Sequence, residues 1–220
     1  EKTIESSYQS SIATIWKDRV AKHQEYTAKI PFSDFKVFDF ICQNVPKNSQ
    51  LQVSNSSAIR YLQLFDLDKS IQVFCNRGTS GIDGSTSTAI GAALATNLPT
   101  ILITGDISFL YDSNALWNNY IPKNFKIILL NNSGGGIFRI LPGHQETETF
   151  NTYFETSHQL NASHLAKMYG FDYFEANDEA TLQQQYKSFL NQNEKPSILE
   201  IFTPEKENNG ILLEFFRGLK

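Results

Sequence analysis

The sequence contains no uninterrupted apolar run near the ~18 residues that a membrane-spanning helix needs, which excludes such a span. It has no strong excess of charge: 19 basic residues stand against 23 acidic ones, a net charge of −4. That balance argues against nucleic acid as the main partner and leaves room only for a local basic pocket. Cysteine is scarce. Cys42 and Cys75 are the only two, with no Cys-x-x-Cys, so a disulfide framework is excluded. Free thiols of this kind suit a reducing compartment and predict a cytoplasmic protein. There is no Gly-x-Ser-x-Gly elbow, no Gly-Lys-Ser/Thr of a Walker loop, and no Gly-x-Gly-x-x-Gly after the first strand. Internal repeats and low-complexity tracts are also missing. What remains is a chain of 220 residues, 40% apolar and 19% charged. Wholesale disorder is excluded by that composition, and the length suffices for a core without staples. The chain opens at Glu1, and its polar first thirty residues lack the apolar centre of a signal peptide. They read as an excision point within something longer. Asn-x-Ser/Thr triplets at Asn55, Asn131 and Asn161 read as chance.

Residues 1–30 read as a tail or linker helix. Apolar residues recur there at Ile4, Tyr8, Ile12, Trp16 and Val20, a narrow helical stripe. Pro31 interrupts, and Ser33 is placed to cap a second helix running to about Val45. From there short apolar runs alternate with helical patterns, which predicts an α/β fold with a central, mostly parallel sheet and helices on both faces. Strands are expected at Gln50–Ser54, Ile71–Cys75, Thr100–Thr104, Phe125–Leu130 and Ser197–Phe202. Helices are expected at Ser56–Phe65, Ser85–Thr96, Asp112–Tyr120, Asn161–Tyr169, Asp178–Asn191 and Asn208–Leu219.

Open parallel sheets bind ligands beyond the carboxyl ends of their strands. Four unusual clusters follow four strands here: Ser54-Asn55-Ser56, Asn76-Arg77-Gly78, Gly105-Asp106 and Asn131 through Gly136. They should meet on one rim. Asp106 and Asn132 end two strands joined by one helix, so these strands should be parallel neighbours. A carboxylate and an amide oxygen so placed can share a hard cation, and the Gly134 carbonyl can add a third oxygen. Alone, a Gly-Asp is ordinarily a helix cap and an Asn-Asn a turn. Their pairing makes the metal–phosphate reading the stronger. Gly105 to Ser108 and Gly134 to Ile137 look like turns that cradle phosphate, since glycine admits close approach and backbone amides suit anions.

These motifs make the chain recognisable. Gly105-Asp106 with Asn131-Asn132 resembles the diphosphate–metal signature of thiamine diphosphate enzymes. The stretches Asn76–Gly84 (NRGTSGIDG), Gly105–Leu116, Asn131–Pro142 and Ser54–Arg60 resemble, more narrowly, the 2-succinyl-5-enolpyruvyl-6-hydroxy-3-cyclohexene-1-carboxylate synthase family of menaquinone biosynthesis. The resemblance covers about residues 31–220 and matches only that family's C-terminal, thiamine diphosphate-binding domain. Thr79 departs from the pattern, where a smaller or different residue is common.

The resemblance implies a thiamine diphosphate-binding fold and the cofactors thiamine diphosphate and Mg²⁺, or Mn²⁺ in its place. Asp106, Asn132 and the Gly134 carbonyl would hold the metal. Gly105, Ile107, Ser108, Gly135, Gly136 and Ile137 would line the cofactor, and Leu141 with Phe138 would shape an apolar wall. Ile82 would be the stiff branched wedge that bends the cofactor; without the family it reads as core. Arg77 and Arg60, two of five arginines, would grip the carboxylates of 2-oxoglutarate and isochorismate, with the Ser56 hydroxyl beside them. An ion pair from Arg77 to Asp83 is the plainer alternative.

The intact enzyme would be a transferase that decarboxylates 2-oxoglutarate and adds the resulting succinyl semialdehyde carbanion to isochorismate. The glutamate that activates the cofactor in this class comes from the N-terminal domain of a second subunit. No residue here fills that role by motif, so the chain alone is expected to be inactive and to bind cofactor weakly, and a homodimer or tetramer is expected. Three rival readings stay open. They are another thiamine diphosphate-dependent 2-oxoacid decarboxylase, a non-catalytic binding or assembly module, and a nucleotide-binding α/β domain. His23 lies on the tail helix and His144 follows the glycine loop; His158 and His164, without the one-turn spacing of a helical metal pair, read as surface or cap residues, and 143–157 as a mobile polar loop. Phe215-Phe216 should pack on the body or a partner.

Overall fold

The computed structural model describes residues 7–219. Six strands, β1 (Gln50–Val53), β2 (Gln72–Cys75), β3 (Thr100–Gly105), β4 (Lys126–Asn131), β5 (Asp172–Ala176) and β6 (Ser197–Phe202), form one sheet. Their order is β2-β1-β3-β4-β6-β5, and every neighbouring pair is parallel. The helices are α1 (Ser7–Lys29), α2 (Asp34–Asn44), α3 (Ser57–Leu62), α4 (Ser85–Leu94), α5 (Asp106–Tyr111), α6 (Ser163–Tyr169), α7 (Glu179–Asn191) and α8 (Asn208–Gly218).

The apolar runs of β3 and β4 are continuous because both faces of the sheet are covered. Successive side chains point to opposite faces. Ile101, Ile103, Ile128 and Leu130 therefore join the core under α2, α3, α7 and α8. Leu102, Ile127 and Leu129 join a second core under α4, α5 and α6. At ~25 cal/mol per Å² of apolar area removed from water, this two-sided burial is the main force holding the sheet.

Several local expectations are corrected. The strand β5 was not expected. It is an edge strand whose Asp172-Tyr-Phe-Glu pattern is mostly half-exposed and lacks the apolar run of its neighbours. The helix expected at Asp112–Tyr120 starts instead at Asp106, and a short 3-10 turn, Ser113–Trp117, follows. Asp112 caps a different helix. It accepts from Ser87 N and Oγ at 2.7 and 2.9 Å, in the first turn of α4, whose own cap position is Gly84. By contrast Asp178 caps α7 with a capping box, as its place before the helix implies.

The apolar stripe of α1 is covered only toward its carboxyl end, where Val20 is half-buried and Trp16 Nε1 donates to Asp66 Oδ2 at 3.1 Å. Ile4 lies outside the described residues, and Tyr8, Ile12 and Trp16 are exposed. The helix docks through its last turns. The His23 ring lies 4.5–5.5 Å from the rings of Phe35, Phe65 and Phe215, and Tyr26 Oη donates to Ile211 O at 2.6 Å. Phe215 is buried there and Phe216 is exposed. Cys42 and Cys75 are free thiols. Asn55 and Asn131 are buried, so two of the three Asn-x-Ser/Thr triplets are inaccessible as folded. No helix among the described residues is long and apolar enough to cross a membrane.

Candidate active site

A pocket of about 230 Å³ opens at the carboxyl ends of β1, β3 and β4. It gathers Ser56, Ile82, Gly105, Asp106, Ile107, Ser108, Asn132, Gly134, Gly135, Gly136 and Ile137. Phe138 also lines it. Arg60, Arg77 and Leu141 stand outside its lining. Leu141 is half-exposed. Arg60 Nη1 donates to Ser56 O at 2.8 Å, and Arg77 Nη1 donates to Asn55 Oδ1 at 3.0 Å rather than pairing with Asp83.

Asn55 organises this side of the rim. It is buried just after β1, and its Nδ2 donates to Asn76 O and Gly81 O at 2.7 and 2.6 Å. One side chain thus clamps both ends of the loop that carries Ile82. Ser108 Oγ holds the loop from the other side by donating to Ile82 O. The backbone is tight here: Ser56 and Ser133 adopt left-handed φ of 70° and 64°. Such conformations cost a non-glycine residue energy and concentrate at functional sites.

Asp106 opens α5 and is 5% exposed. Its Oδ1 accepts from Ile107 N at 2.7 Å and its Oδ2 from Gly134 N at 2.9 Å, joining β3 to the glycine loop after β4. The register of β3 and β4 brings these ends together, since Gly105 lies opposite Leu130. His158 Nε2 lies 3.2 Å from Asp106 Oδ2, close but poorly aligned for a hydrogen bond. That carboxylate favours the imidazolium and raises the His158 pKa, with burial opposing it. His158 is therefore not the surface residue its sequence context suggests, although its Nδ1 does cap a turn by accepting from Leu160 N. His144 and His164 are exposed.

Asn132 Nδ2 donates to Asp34 Oδ2 at 2.9 Å, and Asp34 Oδ1 accepts from Thr203 Oγ1 at 2.6 Å. Burial pushes the Asp34 carboxyl up to about 6; the hydrogen bonds from Thr203 and Asn132 oppose the shift and the Asp106 charge adds to it. Asp34 lines the pocket, and sequence reasoning missed it. It reads locally as the first residue of a helix, and nothing near it in sequence signals a partner after β4.

The glycine loop is not an open turn. Gly135 N donates to Glu155 O at 2.6 Å and Gly136 N to Gly134 O at 3.0 Å. Gly134 has φ +155°, and a Cβ there would sit 2.8 Å from Glu155 O. Two amides expected to meet phosphate are thus spent within the loop region as folded. The partner segment is a π-helical turn, Phe150–Glu155, with Phe150 and Glu155 buried. Within the polar stretch 143–157, residues 143–149 are exposed, and 150–155 form this regular turn instead of loop. Its anchor is a bidentate ion pair from Arg139 to Glu155, with Arg139 also over the Phe150 ring. No sequence spacing announces that pair.

Hard oxygen donors for a cation are present: the Asp106 carboxylate, the Asn132 amide oxygen and the Gly134 carbonyl. No cluster of three His, Cys, Asp or Glu side chains suited to a metal occurs among the described residues. One carboxylate with two neutral oxygens is instead the donor set of a site completed by phosphate oxygens, the usual setting of Mg²⁺. The residues present therefore fit a metal–diphosphate group.

Residues 55–201 match the family model "Thiamine pyrophosphate enzyme, C-terminal TPP binding domain". The chain is 63% identical over 216 residues to a 2-succinyl-5-enolpyruvyl-6-hydroxy-3-cyclohexene-1-carboxylate synthase of Flavobacterium johnsoniae, covering 98% of this chain and 39% of the relative. It is 65% identical over 217 residues to the protein of that name from Flavobacterium psychrophilum, covering 99% and 39%. For Porphyromonas gingivalis the identity is 37% over 211 residues, covering 96% and 37%. The chain thus spans about two fifths of the length of these relatives. In fold it is similar to benzoylformate decarboxylase from Polynucleobacter necessarius, with a TM-score of 0.66 at 18% identity over 81% of this chain and 34% of that one.

Proposed function

The chain belongs to the thiamine pyrophosphate enzymes through their C-terminal TPP-binding domain, and from that premise we propose that its pocket binds thiamine diphosphate with Mg²⁺, or Mn²⁺ in its place, as part of a 2-succinyl-5-enolpyruvyl-6-hydroxy-3-cyclohexene-1-carboxylate synthase of menaquinone biosynthesis in the cytoplasm. One observation carries the reading: Asp106 and Asn132 meet at the ends of adjacent parallel strands, with the glycine loop tied to Asp106 by its Gly134 amide. The bound cofactor supplies the carbanion chemistry that decarboxylates 2-oxoglutarate and joins the remaining unit to isochorismate.

The protein's part is binding and orientation. Asp106, Asn132 and the Gly134 carbonyl hold the cation. Gly105, Ile107, Ser108, Gly135, Gly136 and Ile137 line the cofactor, with Leu141 at the margin. Ile82 is the wedge, and the Ser108 hydrogen bond to its carbonyl fixes its height. Arg77 and Arg60 are exposed beside the rim, each held by one hydrogen bond, to Asn55 and to the Ser56 carbonyl, that it would release to grip substrate carboxylates, with the Ser56 side of the pocket next to them. Tyr153 and Phe154 line the pocket yet are 77% and 52% exposed. That supports a covering partner, the N-terminal domain of a second subunit in a homodimer or tetramer, which also brings the missing glutamate. The chain alone is accordingly inactive.

Calorimetric titration of thiamine diphosphate tests this, with Mg²⁺, with EDTA, and with Asp106→Ala. Heat that requires Mg²⁺ and disappears in the variant is expected. Equal binding in EDTA, or turnover by the chain alone, would sink the corresponding part of the reading.

A further inference from the structure

Asp34 is an unexpected charge in this fold. It opens α2, where an acidic side chain ordinarily faces solvent and favours the helix N-terminus. Here it is 2% exposed, and its helix has no side-chain cap. No lysine, arginine or histidine pairs with it among the described residues. A buried carboxylate without a cation is costly unless its oxygens are occupied. Each Asp34 oxygen takes one donor, Thr203 Oγ1 on Oδ1 and Asn132 Nδ2 on Oδ2. Its main chain is pinned as well, because Asp34 N donates to Asn208 Oδ1 at 2.8 Å.

An ionised carboxylate only accepts hydrogen bonds, so it can face only the amino side of the Asn132 amide. The amide oxygen lies on the other side of the same planar group. Fixing Nδ2 on Asp34 therefore turns Oδ1 away from it. The bond to Asp34 is the side-chain hydrogen bond Asn132 makes among the described residues, so its half-buried Oδ1 has no protein donor there, and Asn132 lines the pocket. An untethered asparagine would present its amino hydrogens as readily as its oxygen, and those hydrogens repel a cation.

We propose that Asp34 is a positioning residue: through Asn132 Nδ2 it holds the Asn132 amide oxygen toward the pocket as a preset ligand for a divalent cation. The inference rests on the reading that this pocket takes a cation with a diphosphate. Partners that orient a metal ligand from outside are typically worth ~10–100-fold in metal affinity. Thr203 occupies the second Asp34 oxygen and keeps the carboxyl plane from swinging off Asn132.

The test uses the full chain, Asp34→Ala and Asp34→Asn. Mn²⁺ affinity is read by electron paramagnetic resonance in the presence of thiamine diphosphate. The Asn132 side-chain amide is read by ¹⁵N NMR and assigned by its absence in Asn132→Ser. In the parent protein one Asn132 amide proton should be shifted downfield and exchange slowly. Asp34→Ala should lose that signature and bind Mn²⁺ roughly 10-fold more weakly or worse. Asp34→Asn keeps an acceptor oxygen for Nδ2 and should keep both the signature and near-parent affinity. If Asp34→Asn falls as far as Asp34→Ala, charge rather than orientation is at work and the proposal is overturned. Unchanged affinity in Asp34→Ala overturns it while leaving the cation site standing. No Mn²⁺ binding by the parent protein removes the cation site itself, and the inference with it. Should Asp34→Ala not fold, Asp34→Asn and the parent amide signature decide, and absence of that signature overturns the proposal.

Discussion

The two ends of the sheet bury charge in opposite ways. At the amino end Lys126, 4% exposed on β4, gives its ammonium to Gln192 O and Ser197 Oγ, and lies over the Phe189 ring. Its donors are used inside the protein. At the carboxyl end Asp34 and Asp106 are buried about as deeply, yet they line a cavity and lie beside an amide oxygen without a protein partner. A buried charge whose partners are all internal is part of the packing. Buried charges beside a cavity and an amide oxygen without a protein donor mark a place where something binds. The same strand, β4, carries Lys126 at one end and leads to Asn132 at the other, so strand chemistry is not what separates them.

The largest change should follow loss of the wall behind the glycine loop. Glu155→Ala leaves the Arg139 guanidinium buried and half-paired, which costs about 3–5 kcal/mol. Urea unfolding should show that loss or a failure to fold, and a change below ~1 kcal/mol would mean the pair is not buried as described. Next comes Asp106→Ala. It should weaken Mg²⁺-dependent cofactor binding by ~100-fold, equivalent to about 2.7 kcal/mol, and also cost about 1–3 kcal/mol in unfolding free energy, because Ile107 N and Gly134 N lose their acceptor. Unchanged cofactor binding would erase the distinction between the two ends.

Lys126→Met probes the other side. It leaves Gln192 O and Ser197 Oγ without their donor and should cost about 1–3 kcal/mol in unfolding free energy with cofactor binding unchanged. The pH dependence is specific. Burial holds the Lys126 pKa down to about 8, with Asp172 opposing, while an unfolded lysine titrates near ~10.4. Between those values the unfolded chain binds the extra proton, so stability should rise as pH increases from about 8 to ~10.4. Below about 8 both states are protonated and this contribution is flat. Lys126→Met should remove the rise, and a rise that survives would assign it to another group.

The smallest expected effect is Asn55→Ala, which removes hydrogen bonds to Asn76 O, Gly81 O and Arg77 and should cost about 1–2 kcal/mol. Hydrogen exchange should quicken within 76–84 and not in β6. Uniform quickening would mean that Asn55 supports the whole sheet rather than the loop.

Much of this was legible in the sequence. The strands β3 and β4 announce themselves by apolar runs and β1 by its Gln50-Leu-Gln-Val alternation, and the polar or glycine-rich residues behind each converge because a parallel sheet puts like ends together. What stayed hidden is non-local. The Asp34–Asn132 contact joins the start of α2 to the end of β4, and the Arg139–Glu155 pair shapes a turn whose sequence reads as polar loop. The edge strand β5 lacks the two-sided burial that makes a run apolar. His158 reaches Asp106 only because the turn at Phe150–Glu155 carries the chain back over the rim. Residues that line the pocket from their own strand end were readable, and those delivered from another element were not.

Paramagnetic broadening tests the contrast between the two ends most directly. Mn²⁺ with thiamine diphosphate would be added to the ¹⁵N-labelled chain and backbone resonances followed. Early loss of Gly105, Asp106, Asn132 and Gly134 is expected, while Lys126, Ser197 and Phe189 stay sharp. Broadening that spares the carboxyl end, or is uniform along β4, would contradict it.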